Sequence, residues 1–299
     1  MEEKKRLIII DSNSLLHRAF HALPPLTTKK GEQTGAVYGF LLILFKAIKD
    51  LQANYIVACF DTKAPTFRHE KFKEYKAQRP KTPQEILNQL PKIKEILEVF
   101  KIPIFAKEGF EADDLIATIS KKAEEYDNLS EIYILSGDLD NLQLVNEKIK
   151  VYTLGKGIKD TVLYDKNRVI TRFGIEPKQM NDFKALTGDP SDNIPGVSGI
   201  GKKTAADLIK QFETIENLYK EIGEGMANIK TRTKDLLSDN KEKAYLSKEL
   251  VKTKRDVDIQ FILEDCKFGD FNQKEVENIF RELEFNTLIN RLSSIIYHH

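Results

Sequence analysis

Residues 7–11 read LIIID, four apolar residues closed by an aspartate. A run so short and so rich in β-branched residues reads as a strand. The form recurs at 55–61, YIVACFD, and at 131–136, EIYILS, which is followed by Gly137-Asp138-Leu139-Asp140. Further strand runs lie at 102–106 and 150–154, and residues 36–51, 83–100 and 112–126 carry apolar positions at helical spacing. Such alternation predicts an α/β fold, a mostly parallel sheet with helices on its faces. Ligands of these sheets bind beyond the carboxyl ends of the strands. Asp11, Asp61 and the Asp138/Asp140 pair are delivered to that one edge. Any single strand-end aspartate can be a turn former or a helix N-cap. It is the whole set that points to a site.

After about residue 165 the pattern turns helical, with glycine and proline punctuating 188–201 and charged helices running to about 292. The 299 residues are 41% hydrophobic, enough for one large core or a core with an appended domain. Net charge is only +1, so a nucleic-acid surface must arise from local segregation of charge. Cys59 and Cys266 have no CxxC partner, which reads as a reducing compartment without structural disulfides, Cys59 being a small buried hydrophobe. The apolar run near the N-terminus is too short for a signal peptide. Residues 36–48 contain Lys46 and read as a core helix rather than a membrane span. Met1 reads as a natural start, and His298 with His299 as the remnant of a tag.

Acidic residues recur in tight clusters. GFEADD places Glu111, Asp113 and Asp114 at a helix start, SGDLDN carries Asp138 and Asp140, and TGDPSDN carries Asp189 and Asp192. A helix dipole favours negative charge at its start, but three acids in four positions repel one another unless a cation intervenes. With Asp11 and Asp61 there are nine acids in five short segments. Hard oxygen donors without a Cys/His set suit Mg2+ or Mn2+ rather than zinc. Nine carboxylates exceed the needs of one ion, so two or more ions are expected. A pair of metals roughly 3.5–4 Å apart can clamp both oxygens of an in-line phosphodiester displacement.

Residues 62–81, TKAPTFRHEKFKEYKAQRPK, hold Lys63, Arg68, Lys71, Lys73, Lys76, Arg79 and Lys81 against Glu70 and Glu74, with Phe67, Phe72 and Tyr75 interleaved. Cations neutralise phosphates and exposed rings stack on bases, although a solvated basic helix with a buried phenylalanine face has the same composition. Lys76 and Arg79 stand i,i+3, which predicts one helix face from which they could polarise a scissile phosphate.

The run Gly196-x4-Gly201-Lys202 nearly matches a phosphate-binding P-loop, but Lys203 stands where Ser or Thr should bind Mg2+, and no strand precedes it. Helix, glycine-rich hairpin, helix is the better reading. Gly196, Gly199 and Gly201 permit tight backbone geometry, the next helix offers N–H groups to a phosphate, and Lys202 and Lys203 add charge. This resembles the helix-hairpin-helix DNA-binding motif, which implies a grip on duplex backbone without sequence readout and a K+ ion on carbonyls near Val197 and Ile200.

The motifs IIIDSNSLLHRAFHAL, FDTKAPTFRHEKFKEYKAQRPKTP, GFEADDLIA, LSGDLDNLQLV, ALTGDPSDNIPGVSGIGKKTA and FRELEFNTLINRL stand in one order. Together they are similar, over nearly the whole chain, to the 5′–3′ exonuclease domain of bacterial DNA polymerase I and, more widely, to the flap endonuclease family. The resemblance implies a PIN-like catalytic domain over 1–180, with a helical arch at about 62–100. A helical DNA-binding region over 181–292 and a tail at 293–299 would follow. It implies that Asp11, Asp61, Glu111, Asp113 and Asp114 form one metal cluster and Asp138, Asp140, Asp189 and Asp192 another. Lys76 and Arg79 would contact the scissile phosphate and Tyr75 would stack on a base. Arg18 and Arg68 would be further DNA contacts. Ser12 departs from the glycine that many relatives carry there, without removing a ligand.

The implied activity is metal-dependent hydrolysis at a 5′ end, a nick or the base of a 5′ flap, in primer removal and repair, leaving a 5′-phosphate and a 3′-hydroxyl. RNA primers, a linked or separate polymerase and a bacterial, nucleoid-associated cytoplasmic location follow from the same resemblance, and a monomer is the default expectation. A non-catalytic module for branched DNA and an RNA nuclease of the wider PIN class are the competing readings.

Overall fold

The computed structural model describes residues 5–155, 157 and 160–296; the readings placed on Met1, His298 and His299 lie outside them. The chain runs β1 (Lys5–Asp11), α1 (Ser12–Ala22), α2 (Gly35–Leu51), β2 (Tyr55–Cys59), α3 (Phe67–Lys71), α4 (Gln84–Val99), β3 (Ile104–Phe105), α5 (Ala112–Glu124) and β4 (Leu129–Leu135). It continues through β5 (Ile149–Leu154), β6 (Thr161–Tyr164), α6 (Lys166–Phe173), α7 (Met180–Thr187), α8 (Lys202–Phe212), α9 (Ile215–Gly223), α10 (Thr231–Asp239), α11 (Lys241–Val251), α12 (Gln273–Glu282) and α13 (Asn286–Ile296). The sheet order is β3-β2-β1-β4-β5-β6. Its first five strands are parallel, and β6 closes the edge antiparallel to β5. The first five strands are those expected from the sequence; β6 was not expected, being an apolar run of only four residues, TVLY.

Successive side chains of a strand point to opposite faces. Leu7 and Ile9 of β1, with Val57, Ile132 and Ile134, pack on α5, and this layer continues without a break into Leu186, Val197, Ile200 and Leu208 of the helical half. Ile8 and Ile10, with Ile56 and Ala58, pack on α2 and α4 through Phe40, Leu44, Ile93 and Leu97. Phe280, Leu288 and Leu292 of α12 and α13 join this second layer. The last two helices therefore return to the back of the sheet. They do not pack with the hairpin helices, because their apolar stripes match the α2–α4 face.

Residues 62–100, the stretch expected to form a helical arch, hold α3 and α4 with turns between them. Only residues 67–71 are helical before a series of turns that leads to α4. Lys76 lies within these turns at φ +57°, a left-handed conformation uncommon for a lysine. The i,i+3 spacing of Lys76 and Arg79 led to the expectation of one helix face; they stand in turns instead. No helix among the described residues is long and apolar enough to cross a membrane.

Candidate metal centre and DNA interface

Asp11 ends β1 and caps α1, and burial raises its pKa, partly offset by hydrogen bonds from Ser14 and Ser136. Ser136 Oγ donates to Asp11 Oδ2 at 2.7 Å and accepts from the Asp138 N–H at 3.0 Å, while Ser14 Oγ accepts from the Gly137 N–H at 2.9 Å. Two serines thus tie the β1 and β4 ends together. Asp61, two residues beyond β2, accepts from the Ala112 N–H at the start of α5 at 2.8 Å. Asp113 receives Asn141 Nδ2 at 2.9 Å, and burial with the nearby Asp11, Asp140 and Asp138 pushes it well above the carboxylate range. Burial likewise lifts Asp140 to about 6, against the opposing pull of Lys184. Acids from four segments therefore meet at one edge and destabilise one another's charge.

Lysines and arginines stand between the carboxylates. Lys76 Nζ lies 2.8 Å from Glu111, and Arg79 pairs with Asp192. Burial alone would raise Glu111, yet Lys76 and Arg68 hold it below its ordinary value. The turns around Lys76 are docked on the 189–193 loop: Lys76 N–H donates to Asp192 O at 2.9 Å, and Asn193 Nδ2 to Glu74 O at 2.8 Å. Lys184, on α7, bridges Asp140 and Asp189, lying 2.9 Å from the latter. Lys184 was not among the expected site residues; its signal is that it is the one cation on α7, five residues before Asp189.

Three expectations are corrected. Arg68 is 2% exposed, so it offers nothing to DNA. Its guanidinium forms a bidentate pair with Asp114, at 2.8 and 2.9 Å, and also donates to the Leu250 and Lys252 carbonyls. Asp114 is 0% exposed and also accepts from the Glu111 and Lys254 N–H groups, so its oxygens are fully used and it leaves the metal set. Tyr75 has its ring buried edge-on to His69 and its hydroxyl shared between Glu111 and Asp192, which leaves no face for a base in this conformation.

The remaining acids are not drawn together around a point. Among the described residues no group of three acidic, imidazole or thiol side chains stands ready to hold an ion. The chemistry of the edge nonetheless fits a hard divalent cation. The donors are all oxygens, and several carboxyls are raised by burial and mutual repulsion. Of four buried side-chain oxygens without a hydrogen-bond partner among the described residues, those of Ser12, Thr62 and Asn141 are each next in sequence to one of these acids, and that of Ser120 is not. Ions with their waters would satisfy all three features.

In the hairpin, Gly188 and Gly196 have φ of +68° and +60°, and a Cβ on Gly196 would lie 2.3 Å from the Gly188 nitrogen. The two backbones cross in contact, and Val197 and Ile200 plug into the core beneath them. Gly199, at φ +85°, faces Leu236 of α10. Gly201 differs from the expectation of tight geometry: its φ is −85° and no atom stands near its missing Cβ. It leaves open space before α8, whose first residues Lys202 and Lys203 are exposed. Arg18 is exposed too, with Nη2 donating to the Leu154 and Gly155 carbonyls at 3.1 Å each.

Residues 6–174 match the 5′–3′ exonuclease N-terminal resolvase-like domain, and residues 175–274 the 5′–3′ exonuclease C-terminal SAM fold. DNA polymerase I of Bacillus subtilis is 43% identical over 292 residues, covering 98% of this chain and 33% of that protein. The 5′–3′ exonuclease of Aquifex aeolicus is 39% identical over 291 residues, covering 97% of this chain and 96% of that one. The chain thus spans 33% of the polymerase relative's length. Among solved structures, the bacteriophage T5 flap endonuclease complexed with DNA and metal ions aligns at TM-score 0.67 and 19% identity, covering 98% of this chain and 99% of that one. The catalytic core of Rad2 with DNA substrate aligns at TM-score 0.63 and 16% identity, covering 99% and 94%. These structural likenesses establish the shared fold, and the sequence matches establish the kinship: the chain belongs to the 5′–3′ exonuclease family.

Proposed function

We propose that this chain is a metal-dependent 5′–3′ exonuclease and 5′-flap endonuclease acting on DNA with a 5′ end, a nick or a flap, RNA-primed ends included. The observation that carries this reading is the set of carboxylates that separate strand and helix ends deliver to one sheet edge, beside unpartnered buried oxygens. Asp11, Asp61, Glu111, Asp113, Asp138, Asp140, Asp189 and Asp192 would hold Mg2+ or Mn2+, two or more ions. When bound, such ions activate a water and stabilise the attacking and leaving oxygens. Lys76 and Arg79, released from Glu111 and Asp192, would bind the scissile phosphate. Lys184 holds Asp140 and Asp189 in place. Residues 1–180 would carry the cleavage and the helical part after them the grip on duplex. There Gly196, Gly199, Lys202 and Lys203 present the hairpin, with K+ on carbonyls near Val197 and Ile200, and Arg18 adds an outer contact. A monomer acting beside a linked or separate polymerase in a bacterial cytoplasm completes the reading.

The test is a substrate panel: end-labelled 5′ flap, 3′ flap, nicked duplex and an RNA version of the 5′ flap, each with Mg2+ and with EDTA. Cutting near the 5′-flap junction that needs Mg2+ and spares the 3′ flap supports the proposal. Tight binding of all duplexes without cutting, in Mg2+ or Mn2+, would reduce the protein to a binding module. Cutting confined to the RNA flap would favour an RNA nuclease.

A further inference from the structure

Asn141 follows Asp140 in a short 3-10 helix, Asp140–Leu144, and is 0% exposed between the buried Leu142 and Leu144 and the acid edge. Its two amide ends are used unequally. Nδ2 donates to Asp113 Oδ1 at 2.9 Å, while Oδ1 is buried with no partner. A buried acceptor left unpaired costs on the order of 1–3 kcal/mol, which offsets what the bond to Asp113 contributes, so the amide brings little net stability here. With a cation bound and Asp113 ionised, Nδ2 is the only end of the amide that can serve Asp113, so Oδ1 keeps the unpartnered side. The remaining source of a donor is the acid basin itself, whose other side chains (Asp11, Asp138 and Asp140) are acceptors.

We propose that Asn141 is a positioning residue of the metal centre: its Nδ2 fixes the Asp113 carboxylate, and its Oδ1 accepts a hydrogen bond from a water carried by a divalent cation. The inference rests on the metal-dependent reading above. Partners of this kind, one step removed from the ion, orient the ligands and typically contribute 10–100-fold to metal affinity.

The experiment titrates Mn2+ alone into the full chain, following free Mn2+ by electron paramagnetic resonance, in wild type, Asn141→Leu and Asn141→Ala. Melting in EDTA is measured in parallel. Asn141→Leu is expected to bind its tightest Mn2+ about 10–100-fold more weakly, with a melting temperature in EDTA equal to or above that of wild type. Asn141→Ala, which leaves room for a water, is expected to lose less affinity. Unchanged Mn2+ affinity in Asn141→Leu overturns the inference, as does a lowered melting temperature in EDTA with affinity per folded molecule intact, the mark of a purely structural residue. If wild type itself binds no Mn2+, the metal reading falls, and the inference with it.

Discussion

Arg68 gives its whole guanidinium to buried partners, two oxygens of Asp114 and two backbone carbonyls near the end of α11. Removing one member of such a pair strands the other charge in the core, at a cost of about 3–5 kcal/mol. Arg68→Ala is therefore expected to lower the urea midpoint sharply. An Arg68→Ala protein with wild-type stability but weakened DNA binding would restore the surface role. In the sequence Arg68 is one cation among seven in a basic stretch, and Asp114 one acid among three. Charge count carries no record of which pair turns inward, so the motif was legible and this pairing was not. The same holds for Tyr75, whose burial depends on where the 72–83 turns come to rest.

At the scale of elements, the strand-end acids were readable because a parallel sheet obliges its carboxyl ends to share an edge. The turns after α3 were not, because local helix spacing competes with docking onto a loop more than one hundred residues away in sequence. The hairpin was legible in outline, with one difference between its glycines. Gly196→Ala adds a methyl against the Gly188 backbone at positive φ and is expected to cost at least about 2 kcal/mol, read by thermal melting. Gly201→Ala meets open space at an ordinary φ and is expected to stay within about 0.5 kcal/mol of wild type. Equal melting temperatures for the two variants would contradict the crossing geometry. The double change Lys202→Ala/Lys203→Ala is expected to weaken duplex binding in Ca2+ and to reduce the slope of log affinity against log salt by about 2, with stability kept. An unchanged slope would place the duplex elsewhere.

For the molecule as a whole, the carboxylate edge is a store of like charge. Asp11, Asp61, Asp113 and Asp140 all have raised pKa values, with burial the leading cause in each. A carboxyl raised in the fold favours the folded state below its unfolded pKa, and that contribution is lost as pH rises through the folded value. For Asp140 this window runs from 3.8 to about 6. Mg2+ requires the ionised forms, so its stabilising effect should grow as pH rises through the window. Scanning calorimetry is expected to show a larger Mg2+-induced rise in melting temperature at pH 8 than at pH 5. A pH-independent rise would mean that Mg2+ binds elsewhere.

The most direct measurement is single-turnover cleavage of a 5′-labelled flap duplex by wild type and Asp138→Ala, with binding to the same DNA followed in Ca2+. Asp138 is exposed at the sheet edge, where its Oδ1 accepts from the Leu139 and Asp140 N–H groups of its own turn. The account predicts that the variant binds the flap as wild type does and loses cleavage by at least about two orders of magnitude. Cleavage at the wild-type rate would contradict the assignment of the carboxylate edge as the catalytic centre.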